Sequence, residues 1–394
     1  MNSNRVWKRW LAAGLTVAVL GIVLVLLRRG PAVQGDENKP TGKKDGDWPM
    51  FGGSPQRNFV NLTEKNIPQK WDVSKKENIL WTAAPGDKAY GGPVVAGGKV
   101  FVGTNNNRPR DPAIKGDRGV LLCFDEKSGK FLWQLVFNKL EAGQVQDWPD
   151  EGICSSPFVE GDRLYFVNNR CTVVCADVNG DPTNPGKGKI IWEHDMIGRD
   201  GVFPHNLAVC SPLIVGDLLF VVTANGVHKD HITVPSPEAP SFLCLKKKDG
   251  EFVWKSNLPS QSLVEAKKKG GEIDIRGLVN KGKLLMHGQW SNPVYAEAGG
   301  KPQVIFPGGD GWLYAFKPDS GELLWKFDCN PKDSIYKLGP GATRNDFIGT
   351  PVVHDNKLYI AVGQDPEHKE GVGHLWCIDI RKEPKNADKD LSPR

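Results

Sequence analysis

Eight cysteines are the first candidates for chemistry in this 394-residue chain. Four of them sit in matching contexts: LLCFD around Cys123, VVCAD around Cys175, FLCLK around Cys244 and LWCID around Cys377. A fifth matching context, WLYAF, carries Ala315 instead. A position that accepts either Cys or Ala reads as a small buried site, not as a ligand or nucleophile. Cys154, Cys171, Cys210 and Cys329 fall elsewhere. Cys171 and Cys175 lie too far apart along a strand for a disulfide, and no C-x-x-C-H haem-attachment pattern is present. The cysteines therefore leave the redox compartment open. Asp177-Val-Asn-Gly-Asp181 has the D-x-N-x-D start of a calcium loop. Pro182, however, stands where that loop needs Gly, and Gly188 where it needs a bidentate Glu. A turn closing a strand is the better reading. Nucleophile-elbow, zincin and Walker patterns are all absent from the sequence.

The elements that would carry any site form a repeat. Gly308 to Trp325, GGDGWLYAFKPDSGELLW, reads as strand, turn and strand, with Asp319-Ser320-Gly321 as the turn. The same pattern returns as VLLCFDEKSGKFLW from Val120, as VVCAD to KGKIIW between Val173 and Trp192, and as FLCLKKKDGEFVW from Phe242. HLWCIDI, from His374, starts a further copy. A proline and a second strand pair precede each one: GPVVAGGKVFVGT, SPFVEGDRLYFVN, SPLIVGDLLFVVT, NPVYAEAGGKPQVIFPGG and TPVVHDNKLYIAVG. Each unit is thus a four-stranded antiparallel meander that ends in Trp133, Trp192, Trp254 or Trp325. Trp81, in NILW, is an extra copy of the last strand. Such a meander cannot bury both faces of its own sheet, but radially stacked neighbours bury each other.

These units resemble the PQQ-like repeats of quinoprotein-type β-propellers, which also build the propeller lipoproteins of outer-membrane assembly. The resemblance covers Asp47 to Ile380. DWPMFGGSPQRN, FPHNLAVCSP, HGQWSNPVY and GQDPEHKEGVGHLWCID are similar to propeller proteins of planctomycete-like bacteria. The fold expected is therefore all-β: a propeller of four-stranded blades, about five of them present. The resemblance implies that Trp81, Trp133, Trp192, Trp254 and Trp325 dock structurally on the following blade. For the dehydrogenases of this family it also implies a disulfide of adjacent cysteines, a catalytic Asp and Glu/Asn ligands to calcium. No two cysteines here are adjacent, so neither PQQ with calcium nor any other cofactor is expected.

The loops entering each repeat proline should rim the central funnel. They bring Tyr90, Glu151, His205, Asn206, His287, Gln289, Trp290, Arg344, Asn345 and Asp346 as a candidate binding set. This mix could grip a polar ligand or peptide. The alternative is that these side chains only satisfy loop backbone groups. His205 and His287, on neighbouring loops, could also hold a metal, but no metal site and no catalytic residue is assigned.

Charge narrows the partners. Residues 1–46 carry eight Lys/Arg against three Asp/Glu, which accounts for the whole formal charge of +5. The remainder is balanced and carries no global basic footprint for nucleic acid. The runs Lys246–Lys248 and Lys267–Lys269 read as solvated turns. Residues 11–27 are uncharged and reach the short end of a membrane span, between Trp7, Trp10 and basic flanks. The exit Arg28-Arg29-Gly30-Pro31 is a poor cleavage site, so an uncleaved anchor is favoured over a signal peptide. The expected organisation is a membrane anchor over 1–29, a flexible linker over 30–46, repeats over 47–380 and a polar tail over 381–394. The propeller would lie on the periplasmic or exported side. The expected function is a non-catalytic scaffold for a protein or polymer partner in the cell envelope. The alternative is a quinoprotein-like oxidoreductase or other ligand-using enzyme with its site in the funnel. The fifth unit stops before its closing Trp, so the ring is expected to be open, without pairing of Ile79–Trp81 to Leu375–Ile378, and the chain to be the front part of a longer protein.

Overall fold

A computed structural model describes residues 46–338, 340–364 and 372–393. The expected anchor over 1–29 and the linker up to residue 45 lie outside them. Among the described residues, no helix is long and apolar enough to cross a membrane.

Each repeat proline stands immediately before an innermost strand. The first sheet contains β1 (Val94–Ala96), β2 (Lys99–Asn105), β3 (Arg118–Asp125) and β4 (Phe131–Asn138). The second contains β5 (Phe158–Glu160), β6 (Arg163–Val167), β7 (Thr172–Asp177) and β9 (Ile190–Asp195), and its last turn forms the short β8 (Gly186–Lys187). The third contains β10 (Leu213–Val215), β11 (Leu218–Val222), β12 (Phe242–Lys246) and β13 (Phe252–Ser256). The fourth contains β14 (Val294–Ala298), β15 (Lys301–Pro307), β16 (Trp312–Phe316) and β17 (Leu323–Asp328). The fifth has three strands, β18 (Val352–His354), β19 (Lys357–Val362) and β20 (His374–Asp379). Strands within each meander pair antiparallel in sequence order, the arrangement of propeller blades.

The register explains the Cys/Ala position. Cys123, Cys175, Cys244 and Ala315 sit directly across the ladder from Trp133, Trp192, Trp254 and Trp325, and each ladder shifts register at the next residue. A small side chain there leaves room for the indole opposite. Burial pushes the Cys123 and Cys175 thiols up to about 12, so they stay protonated and unreactive at neutral pH.

Four of the five tryptophans share one docking geometry. Trp81 Nε1 donates to Glu126 O at 2.7 Å, Trp133 to Val178 O at 3.2 Å, Trp192 to Lys247 O at 3.2 Å and Trp254 to Pro318 O at 2.8 Å. Each acceptor lies in the β3–β4-type turn of the following sheet. In that turn the indole lies on a glycine with positive φ: Gly129, Gly180, Gly250 or Gly321. A Cβ on Gly250 would come within 2.6 Å of the Trp192 ring, so the turn needs Gly for both conformation and close approach. Trp325 departs from the series, because its Nε1 donates at 2.7 Å to Gln303 within its own sheet.

The lead-in segment runs across the innermost strands. Trp48 bridges Val95 of β1, Val159 N of β5 donates to Pro49 O, Tyr295 N of β14 to Pro55 O and Val353 N of β18 to Gln56 O. Arg57 reaches the third sheet. Its Nη2 donates to Ser211 O at 2.8 Å, and its Nε donates to Pro293 O, ahead of β14, at 2.6 Å. This one strip of chain therefore meets innermost strands of the first, second, fourth and fifth sheets, and Arg57 meets the residues that lead into the third.

Among the described residues, three α-helices are present: α1 (Met196–Asp200), α2 (Gln261–Lys269) and α3 (Ile275–Asn280). Lys267–Lys269 form the last turn of α2 rather than a surface loop. Cations are favourable there because they oppose the exposed carbonyls of a helix C-terminus. The tail expected over 381–394 is docked in part: Lys326 N donates to Lys389 O, Leu391 N donates to Lys326 O, and the tail runs parallel to β17. It covers the outer edge of the fourth sheet much as β8 pairs parallel with β4 of the first. Trp81 is docked on the first sheet, and among the described residues no ladder joins Ile79–Trp81 to β20.

Candidate functional site

The ten candidate residues separate into neighbouring groups. Glu151 is buried and takes an ion pair from Lys88 at 2.7 Å. Exposed Tyr90 also hydrogen-bonds it, and that contact raises the tyrosine pKa. Asn206 works through its backbone: its carbonyl accepts from Trp148 N and its N–H donates to Val145 O. These contacts brace the loop entering the third sheet against the one entering the second.

A second group surrounds the Gly308–Gly311 turn that precedes β16. Arg344 is buried, and its guanidinium donates to Ser334 Oγ and to Asp310 O, both at 3.0 Å. Asn345 donates from Nδ2 to Val372 O and exchanges two hydrogen bonds with Asn330. Asp346 pairs through its backbone with Gly363. At the centre is Asp310, which the sequence reading did not single out. It is fully buried and accepts from Tyr314 Oη and Trp312 N. Desolvation pushes its carboxyl up to about 7, against the opposing pull of those hydrogen bonds. The GGDGW string carried a signal for it, since an acid inside a turn between two apolar strands needs local donors.

The third group is made of histidines. His205 (loop before β10) and His287 (loop before β14) face each other with Nε2 to Nε2 at 3.2 Å. His231 completes the set, and one ligand atom from each of the three lies within 4.8 Å of the others. His231 belongs to the long β11–β12 connection, which has no repeat counterpart, so periodicity could not place it. Asp230 accepts from Ile232 N, Thr233 N and Thr233 Oγ1 and so folds this connection into a turn. Within it His231 adopts positive φ of 54°, an uncommon conformation for a side chain of this size. Trp290 stands edge-on to His287 at 4.7 Å between ring centres and donates from Nε1 to His205 O. Gln289 ties the two neighbouring loops, donating to Asn225 O and accepting from Gly309 N. Val227, Leu263, Leu285, Met286 and Tyr336 form the apolar cluster beneath.

His205 Nδ1 lies 2.6 Å from Val227 O. A carbonyl only accepts, so Nδ1 carries the proton and Nε2 presents its lone pair. Burial lowers this imidazole to about 4, so it is neutral throughout the physiological range. Gly226 is required here, because a Cβ at that position would come within 2.6 Å of His205 Cβ.

Calcium with a quinone requires hard oxygen donors. Among the described residues, the grouping of at least three potential ligands consists of imidazoles alone. That donor set does not suit calcium.

Blade register, docked tryptophans and repeat prolines together define a propeller of PQQ-like repeats. Residues 71–228 match the family described as outer membrane protein assembly factor BamB. No curated protein sequence matches the chain. Its fold is similar to that of quinohemoprotein alcohol dehydrogenase from Comamonas testosteroni, with a TM-score of 0.53 at 13% identity over 87% of this chain and 51% of that one. BamB from Moraxella catarrhalis aligns at TM-score 0.39 and 15% identity, over 75% of this chain and 59% of that one. Quinohemoprotein alcohol dehydrogenase ADHIIG from Pseudomonas putida HK5 aligns at 0.47 and 11%, over 82% and 58%. The chain thus spans between about half and three-fifths of the length of these proteins. Over residues 71–228 the chain is thus similar to the PQQ-like repeat proteins, and its fold is that of their β-propellers.

Proposed function

We propose that the chain is a non-catalytic binding propeller of the cell envelope, tethered by residues 11–27 and holding a protein or polymer partner on the exported side. The observation that carries this reading is the lead-in strip laid across the innermost strands. The lead-in hydrogen-bonds to the innermost strands, and Arg57 is buried among their carbonyls. A small-molecule site in the funnel would compete with the chain's own segment. The inward-turned loop side chains support the same reading, because Arg344, Asn345 and Gln289 hold neighbouring loops together. The match to a family described as an outer membrane assembly factor supports an envelope setting.

The test uses the full chain in detergent. Added quinone with calcium is expected to leave the Tm unchanged, with no alcohol-dependent dye reduction. A ligand at a hundred times its Kd stabilises by about 2.7 kcal/mol, which a melting curve resolves. A saturable rise would sink the scaffold reading in favour of the oxidoreductase. Fractionation checks the tether: the full chain should sediment with membranes, and removal of residues 1–46 should release it.

A further inference from the structure

We infer that His205, His231 and His287 form a site for a divalent first-row transition metal of the zinc type, clipping together the loops that enter the third and fourth sheets and the long β11–β12 connection. The donor chemistry points to that class. Three imidazoles suit zinc, copper, cobalt or nickel and are poor ligands for magnesium or calcium. Zinc–imidazole bonds of about 2.0–2.1 Å in a tetrahedron place neighbouring nitrogens roughly 3.3 Å apart. The His205–His287 pair, at 3.2 Å, already has that edge. The third ligand atom lies within 4.8 Å.

Preparation of the ligands argues the same way. His205 is fixed by its Nδ1–H···O=C bond to Val227, the outer-shell arrangement that orients metal-bound histidines and leaves Nε2 as the donor. Ring orientation is held further by Trp290 against His287 and by close packing of Gly226 under His205. His205 and His287 are buried, whereas His231 is only half-buried. Holding His231 in a positive-φ turn has a conformational cost, which a bond to a shared ion would offset. The alternative is a purely aromatic and hydrogen-bonded cluster with no affinity for metal.

The experiment takes the untagged full chain, stripped with chelator and titrated with zinc, then with cobalt as a spectroscopic probe. One zinc per chain, a saturable rise in Tm and intense tetrahedral cobalt bands are expected. His231→Asn keeps a residue type that tolerates positive φ but removes the imidazole. Along with His287→Gln, it should weaken zinc binding by more than about 100-fold. His354→Ala, on the fifth sheet, should leave binding unchanged. Cobalt spectra of the hydrated ion, or zinc uptake that His231→Asn and His287→Gln leave intact, would overturn the assignment. Stability of the metal-stripped variants, measured separately, distinguishes a lost ligand from a lost fold.

Discussion

Trp254 shows how much one side chain can decide in this fold. It is buried, stands across the ladder from Cys244, lies over Gly321 and donates to Pro318 O of the next sheet. Truncation to Ala should cost about 3–5 kcal/mol in denaturant unfolding. Trp254→Phe keeps most of the ring and loses the hydrogen bond, at roughly 1 kcal/mol. A loss below 1 kcal/mol for the Ala variant would mean that the sheets are held by something else. Asp310 makes a different prediction at the same scale. Its folded-state pKa, about 7, is above the ordinary 3.8. The folded state therefore binds the proton more tightly, and the resulting stability is present below about pH 4 and lost as pH rises through 7. Asp310→Asn removes that dependence, and Tyr314 Oη can turn to accept from the new amide. Relative to the wild-type protein, the variant should gain stability at pH 8 compared with pH 5. Equal differences at the two pH values would exclude the buried acid as their source.

At the scale of the element, the meander was legible because its signals repeat in register. Proline opens each innermost strand, Gly closes each third turn, and a small residue faces each Trp. These are local requirements of backbone conformation and cross-strand packing, so the sequence carries them directly. The long β11–β12 connection was not legible in this way. It has no repeat counterpart, and its shape depends on Asp230 capping a turn and on Tyr336 Oη donating to backbone carbonyls of His231 and Met286. Nor was the helical form of Lys267–Lys269 evident, since a run of lysines suits either a turn or a helix C-terminus.

At the scale of the whole molecule, Arg57 joins sheets distant in sequence. Its guanidinium donates to Phe51 O, Ser211 O, Pro212 O and Pro293 O while fully buried, and desolvation lowers its pKa to about 10. Arg57→Met preserves length and removes every donor, leaving those carbonyls without it. Leaving buried carbonyls without a donor costs about 1–3 kcal/mol. Urea unfolding should show that loss, together with earlier proteolytic cutting in the lead-in. An unchanged midpoint would mean that the segment merely rests on the innermost strands.

The sequence by itself determined the blade: its four strands, its turns, its closing Trp, and the structural character of Cys123, Cys175 and Cys244. It also placed His205 and His287 on neighbouring loops, because both precede a repeat proline. Only the tertiary structure joined Arg57 to the residues that lead into the third and fourth sheets and brought His231 to the other two histidines. It also separated the ten candidate residues into local groups. The physical reason is range. A turn or a ladder partner is set by neighbours a few residues away, which the chain's own periodicity records. Burial of Arg57 among carbonyls more than 150 residues distant depends on how whole sheets pack, and no local pattern encodes that.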